Sequence, residues 1–202
     1  GYTYYSDNYY GDAIYEIERY LKTYPNHKNV DYGHFLLAMC YYENIIDEKR
    51  DLKPLLKAKK KFEFIMNNFP NTDFSMDAKF KLDLISDKLA AKQMFIAKHY
   101  LKKEKWIAAI NRYKNIIEDY STTIYVEEAL HRLVEIHYRI GLKQESEKYA
   151  KLLGYNYQSS KWYKESYKVF NKDYKIEKKI VKKKGKKSLI FRKFKSLFKN
   201  EG

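Results

Sequence analysis

At 202 residues, with 45% apolar side chains and a net charge of +15, the chain can build one compact domain or one short solenoid around a real core. Seven glycines and three prolines, set against many Lys, Glu, Leu, Ile and Ala residues, favour helix over sheet. The single cysteine, Cys40, excludes an intrachain disulfide, and no apolar run approaches the ~20 residues that span a bilayer.

The chain opens in mid-pattern. Residues 1–5 read as the end of a helix, so residues upstream of Gly1 are expected and the absence of a targeting signal is uninformative. A helix follows over 8–24 and another over 30–44, where Ala38-Met39-Cys40-Tyr41 reads as helix interior and Cys40 as a small buried residue. Residues 47–53 read as an inserted polar loop. Pro54 suits the first turn of a helix running to about Asn68. Asn71-Thr72-Asp73 offers a cap for one long helix over 74–102, and helices over 106–120, 124–139, 143–153 and 160–170 follow, with Gly141 punctuating the last pair.

These segments repeat. Lys22-Thr23-Tyr24-Pro25, Asn67-Asn68-Phe69-Pro70 and Glu118-Asp119-Tyr120-Ser121 close alike, each with an alanine (Ala13, Ala58, Ala109) before it at a constant spacing. Together with Gly1/Tyr4, Ala38/Tyr41 and Ala97/Tyr100 on the preceding helices, the spacing matches the tetratricopeptide pattern, in which a small residue lets two antiparallel helices approach closely. The expected fold is all-α, a tetratricopeptide-like helical-hairpin solenoid (a right-handed superhelix) over 1–170 with about four helix pairs. In the fourth unit Tyr138 takes the aromatic position and Glu147 falls where the small residue belongs, so that unit reads as degenerate.

Nothing in the chain points to catalysis. His27, His34, His99, His131 and His137 form no ligand set with carboxylates at helical spacing, and Asp83/Asp87 and Asp47/Asp51 sit in lysine-rich, solvated sequence. No Gly-rich phosphate loop and no nucleophile motif is present. The reading is therefore no enzyme, no metal and no cofactor. The tyrosine clusters at 2–5, 9–10 and 41–42 suit a repeat core and groove lining better than base stacking, so no nucleic acid is expected.

The charge is concentrated at one end. Residues 172–201 hold thirteen Lys/Arg and three Asp/Glu, leaving a surplus of about five for the rest of the chain. Residues 171–202 read as a basic tail. Within 186–200 (KKSLIFRKFKSLFKN), Ile190, Phe194, Leu197 and Phe198 share a helical face, with Arg192 and Lys193 elsewhere, a pattern suited to an anionic membrane surface. A solubilising tail without that role is the plainer alternative.

The stretches FEFIMNNFPNTDFSMDAKFKL (62–82) and LAAKQMFIAKHYLKKEKWIAAINRYKNIIEDYSTT (89–123) resemble the BamD family of outer-membrane β-barrel assembly lipoproteins. VEEALHRLVEIHYRIGL (126–142), NYQSSKWYKESY (156–167) and YLKTYPNHKNVDY (20–32) are similar to it as well, so the likeness runs over roughly 1–170. Ser121 replaces the family's usual proline, Gln93 stands where a glutamate is common, the tail beyond Phe170 lies outside the pattern, and Cys40 is not the family's lipid-carrying cysteine. The resemblance implies a non-catalytic scaffold and recognition subunit on the periplasmic face of the outer membrane, with a lipid anchor upstream of this chain. The implied partners are the central β-barrel subunit of the assembly complex, other accessory lipoproteins, unfolded outer-membrane proteins and the inner leaflet of the outer membrane. It also implies that Asn111 and Arg112 face the barrel subunit, and that Tyr2, Tyr4 and Tyr9 of the early repeats line a substrate groove. A generic tetratricopeptide adaptor and an RNA-binding protein using the basic tail are the rival readings.

Overall fold

The structure is a computed structural model and describes residues 1–44 and 52–170. Among the described residues there are nine helices and no strand: α1 (Tyr2–Ser6), α2 (Tyr10–Thr23), α3 (Val30–Glu43), α4 (Lys53–Asn68), α5 (Asp73–Lys102), α6 (Trp106–Asp119), α7 (Val126–Arg139), α8 (Lys143–Asn156) and α9 (Lys161–Phe170). Each helix packs chiefly on its neighbours in the chain, and α9 closes the series against α7 and α8. This nearest-neighbour stacking is the architecture of a solenoid of tetratricopeptide-like hairpins. The inserted loop expected at 47–53 lies mostly outside the described residues; its last residue, Lys53, opens α4, with Pro54 in the first turn. The basic tail and its 186–200 face also lie outside them.

Two turn designs recur and explain the repeat. Within hairpins, a residue with positive φ ends the first helix: Asn8 (φ 63), Glu104 (φ 54) and Gly141 (φ 87). At each site the next amide reaches back five residues, from Tyr9 to the Tyr4 carbonyl (2.8 Å), Lys105 to Tyr100 (3.0 Å) and Leu142 to His137 (2.8 Å). This is the bond pattern of a left-handed helix stop, which satisfies carbonyls the helix itself leaves open. Between hairpins, a residue near φ −130 ends the second helix at Tyr24, Phe69, Tyr120 and Tyr157. Its carbonyl then accepts the amide three residues on, at 3.2, 3.3, 3.1 and 3.0 Å respectively. The third such turn carries Ser121 where the first two carry Pro25 and Pro70. The backbone geometry is the same, so proline rigidifies this turn without being required by it.

The first turn design corrects the register of the last repeat. The equivalent of Tyr4 and Tyr100 is the residue whose carbonyl accepts this bond, and in the last repeat that residue is His137, not Tyr138. Nine residues on lies Ser146, fully buried like Ala13, Ala58 and Ala109, whereas Glu147 is exposed. The fourth unit is therefore not degenerate at its helix contact. Ser146 is small enough for the close approach, and its buried hydroxyl donates to the Val134 carbonyl on the facing helix at 2.8 Å.

The expected cap at Asn71-Thr72-Asp73 is also built differently. Thr72 precedes α5 with extended backbone but makes no side-chain cap bond; its hydroxyl donates back to the Phe69 carbonyl at 2.8 Å, as Thr123 does to Tyr120. Both threonines brace the inter-hairpin turn instead of the following helix.

Of the three positive-φ residues, Glu104 alone has neither glycine's freedom nor asparagine's tolerance of this region. Glu104→Gly should raise stability by about 0.5–1 kcal/mol, read as a higher urea midpoint with an unchanged slope.

The core is three clusters in sequence. Ala13, Ile17, Leu37 and Cys40 form the first; Leu55, Ala58, Phe62, Ile65, Ala78 and Ile85 the second; Ala97, Ala109, Tyr113, Ile116, Leu130 and Leu133 belong to the third. The 30-residue α5 joins the last two, supplying Ala78 and Ile85 to one and Met94 and Ala97 to the other. At about 1.5 Å per residue it is a strut roughly 45 Å long.

Candidate partner-docking surfaces

Arg112 sits on α6 beside the fully buried Tyr113, which anchors that helix in the third core cluster. Tyr113 points inward, Asn111 is exposed and Arg112 is half-buried at the edge between them. The Arg112 guanidinium donates to the Gln93 side-chain oxygen on α5 at 3.1 Å. That partner is a neutral amide, and among the described residues Arg112 makes no ion pair. Gln93 thus orients the guanidinium without neutralising it, leaving a planar, permanently charged fork at the edge of α6.

The early tyrosines are exposed but separate. Tyr2 (63% exposed) lines a groove of about 610 Å³ between α1, α2 and α3 with Tyr20, Tyr24, Tyr32 and His27. Tyr20 and His27 are joined there by a 2.7 Å hydrogen bond. Tyr4 and Tyr9 lie on the surface and do not line this groove. Ile190, Lys193, Phe194 and Phe198 fall outside the described residues.

A charged cluster on α7 escaped the sequence reading. Arg132 donates to Glu135 at 2.6 Å and to Glu128 at 3.3 Å, and its guanidinium lies 5.3 Å over the Trp162 ring of α9. Lys98 of α5 reaches both Glu128 oxygens, at 2.9 and 3.1 Å. The buried His131 ring bridges Glu135 (Nε2, 3.4 Å) and the buried Ser166 hydroxyl of α9 (Nδ1, 2.9 Å). Burial pushes the Glu135 carboxyl up, but hydrogen bonds and charge from His131 and Arg132 outweigh it and hold it down to about 2. The visible signal was Glu128, Arg132 and Glu135 at helical spacing, opposite charges on one face of α7.

No group of three or more His, Cys, Asp or Glu among the described residues could hold a metal, and no described helix is long and apolar enough to cross a membrane.

A family model described as YfiO, outer membrane lipoprotein, matches residues 1–152. The chain belongs to the YfiO family. Among its curated relatives, the outer membrane protein assembly factor BamD of Caulobacter vibrioides is 38% identical over 171 residues, 85% of this chain and 56% of that protein. BamD of Rickettsia prowazekii is 39% identical over 160 residues, 79% of this chain and 64% of the relative. BamD of Neisseria gonorrhoeae is 32% identical over 148 residues, covering 68% and 55%. The chain therefore spans 56% and 64% of the lengths of the first two. The YfiO match takes in Arg112 and the tyrosine groove but stops before α9 and the tail.

Proposed function

We propose that this chain is a non-catalytic scaffold and recognition subunit of an outer-membrane β-barrel assembly machine, acting at the periplasmic face of the outer membrane. Family membership supports that setting, and relatives named as assembly factors support the role. The single observation that carries the docking assignment is Arg112: half-buried, aimed by Gln93 and free of any acidic partner among the described residues. A guanidinium held this way loses little side-chain entropy on meeting a carboxylate, so it serves as an interface anchor. Asn111 beside it supplies adaptable hydrogen bonding. The partner is the central barrel-forming subunit, through an acidic residue on its periplasmic domains, with other accessory lipoproteins completing the complex. The groove at Tyr2 is a candidate contact for unfolded outer-membrane proteins, with Tyr4 and Tyr9 as outlying surface positions. Ile190, Lys193, Phe194 and Phe198 are a candidate membrane-surface face, and a lipid anchor belongs to the full-length protein.

Arg112→Glu should abolish co-purification with the barrel subunit from cells, through like-charge repulsion at the anchor, while the helical signal stays at the wild-type level. Arg112→Lys should retain only part of the interaction, since an ammonium cannot bind a carboxylate as a planar fork. Unchanged co-purification of the Glu variant would remove Arg112 from the interface.

A further inference from the structure

A second face lies between the C-terminal half of α5 and α7, where Phe95, Lys98, His99, Leu101, Lys102 and Arg132 line a groove of about 590 Å³. Phe95 is 64% exposed, a large apolar ring left in water among cations. Lys102 is exposed and has no acidic partner among the described residues. The other two cations are already positioned. Lys98 is held by Glu128, and Arg132 is held by Glu128 and Glu135 and backed by Trp162. Donors fixed in advance lose little freedom on meeting a ligand.

We infer that this groove is a docking site for an extended acidic segment of a partner polypeptide, one that places a large apolar side chain on Phe95 and carboxylates on Lys98 and Lys102. The charge balance selects that occupant. Three cations face two carboxylates, a small surplus of positive charge interleaved with negative charge. A polyphosphate chain needs an unbroken cationic track, and Glu128 and Glu135 interrupt one here. A peptide can meet a mixed lining side chain by side chain, and Phe95 gives it an apolar anchor that a phosphate backbone cannot use. The site is separate from Arg112 and stands whether or not Arg112 is an anchor.

The test uses the full chain and a short synthetic peptide carrying one benzoylphenylalanine between aspartates in a glycine–serine background. Photocrosslinks, mapped by mass spectrometry, are expected on residues 95–102 and to be absent for a matching peptide with lysines in place of aspartates. Phe95→Ala with Lys102→Ala, both at exposed positions, should cut that crosslink about tenfold, equivalent to ~1.4 kcal/mol, with helicity unchanged by circular dichroism. Crosslinks confined to 171–202 would overturn the proposal, as would a yield unaffected by the double variant. Displacement of the peptide from 95–102 by a single-stranded oligonucleotide of equal charge at lower concentration would overturn it too, marking the face as a polyanion site.

Discussion

Replacing Phe62 with alanine is expected to cost about 3–5 kcal/mol of stability. Phe62 is fully buried on α4, four residues beyond the fully buried Ala58 that lets α4 approach its partner helix. Its ring stands at 6.0 Å from Phe35 and 6.5 Å from Tyr42, both tilted towards edge contact, and it joins Leu55, Ile65, Ala78 and Ile85 in the middle cluster. Removal leaves a void whose lining comes from α3, α4 and α5, and the 30-residue α5 cannot collapse into it without disturbing the next hairpin. In a chain of this size the loss corresponds to a fall in melting temperature of about 10 °C. Solenoid units are stabilised by their neighbours, so the loss should fall on the coupling between the first and last clusters. Calorimetry of the variant should show a broader transition as well as a lower one. A melting temperature within a degree or two of wild type would mean that the middle cluster is not a continuous core.

The second large effect is expected at Arg132. Arg132→Met keeps an apolar stem at this position but removes the bonds to Glu128 and Glu135 and the guanidinium's contact with Trp162. Breaking a fully buried pair typically costs about 3–5 kcal/mol; with 27% of this side chain in contact with water, a loss of ~2 kcal/mol is expected. The pH dependence makes the test specific. Glu135 is held at about 2 in the folded protein against an ordinary 4.5, so its contribution is complete above pH 4.5 and disappears as pH falls through that window. Without Arg132 the carboxyl is depressed less and has less to lose. The gap in urea midpoint between wild type and Arg132→Met should be widest above pH 4.5 and narrow towards pH 2. Hydrogen exchange should also quicken in α9, which Arg132, His131 and Ser166 hold against α7. A gap independent of pH would show that Arg132 contributes packing alone.

Most of the fold was legible because each hairpin repeats one steric demand. Ala13, Ala58 and Ala109 mark the close helix contacts, and all three are fully buried. Every expected helix within the described residues is present, with ends displaced by a few residues at most, as where 8–24 gives way to Tyr10–Thr23 because Asn8 takes positive φ and Tyr9 precedes the helix. The register of the last repeat is hidden in the sequence because an aromatic, Tyr138, lies next to the residue that occupies the contact, His137. Composition cannot resolve a one-residue shift; the hydrogen bond from Leu142 to the His137 carbonyl can.

The docking surface was less legible. The family likeness pointed to Arg112, but its bond to Gln93, and hence its uncompensated charge, depends on how α5 and α6 meet. The α7 cluster is not legible in the sequence because its burial is supplied from elsewhere, by Trp162 and Ser166 of α9. Likewise Tyr2, Tyr4 and Tyr9 form one class by composition, yet Tyr2 alone of the three lines the groove, since Tyr4 and Tyr9 lie outside it at the first hairpin turn.

We propose that a stack of small-residue-sealed hairpins presents Arg112 to the barrel-forming subunit. The most direct measurement mixes the purified full chain with the purified periplasmic domains of that subunit and follows them by isothermal titration calorimetry. A saturable one-to-one complex is expected, weakened at least tenfold by Arg112→Glu. No heat of binding from a fully helical wild-type chain would rule that interface out.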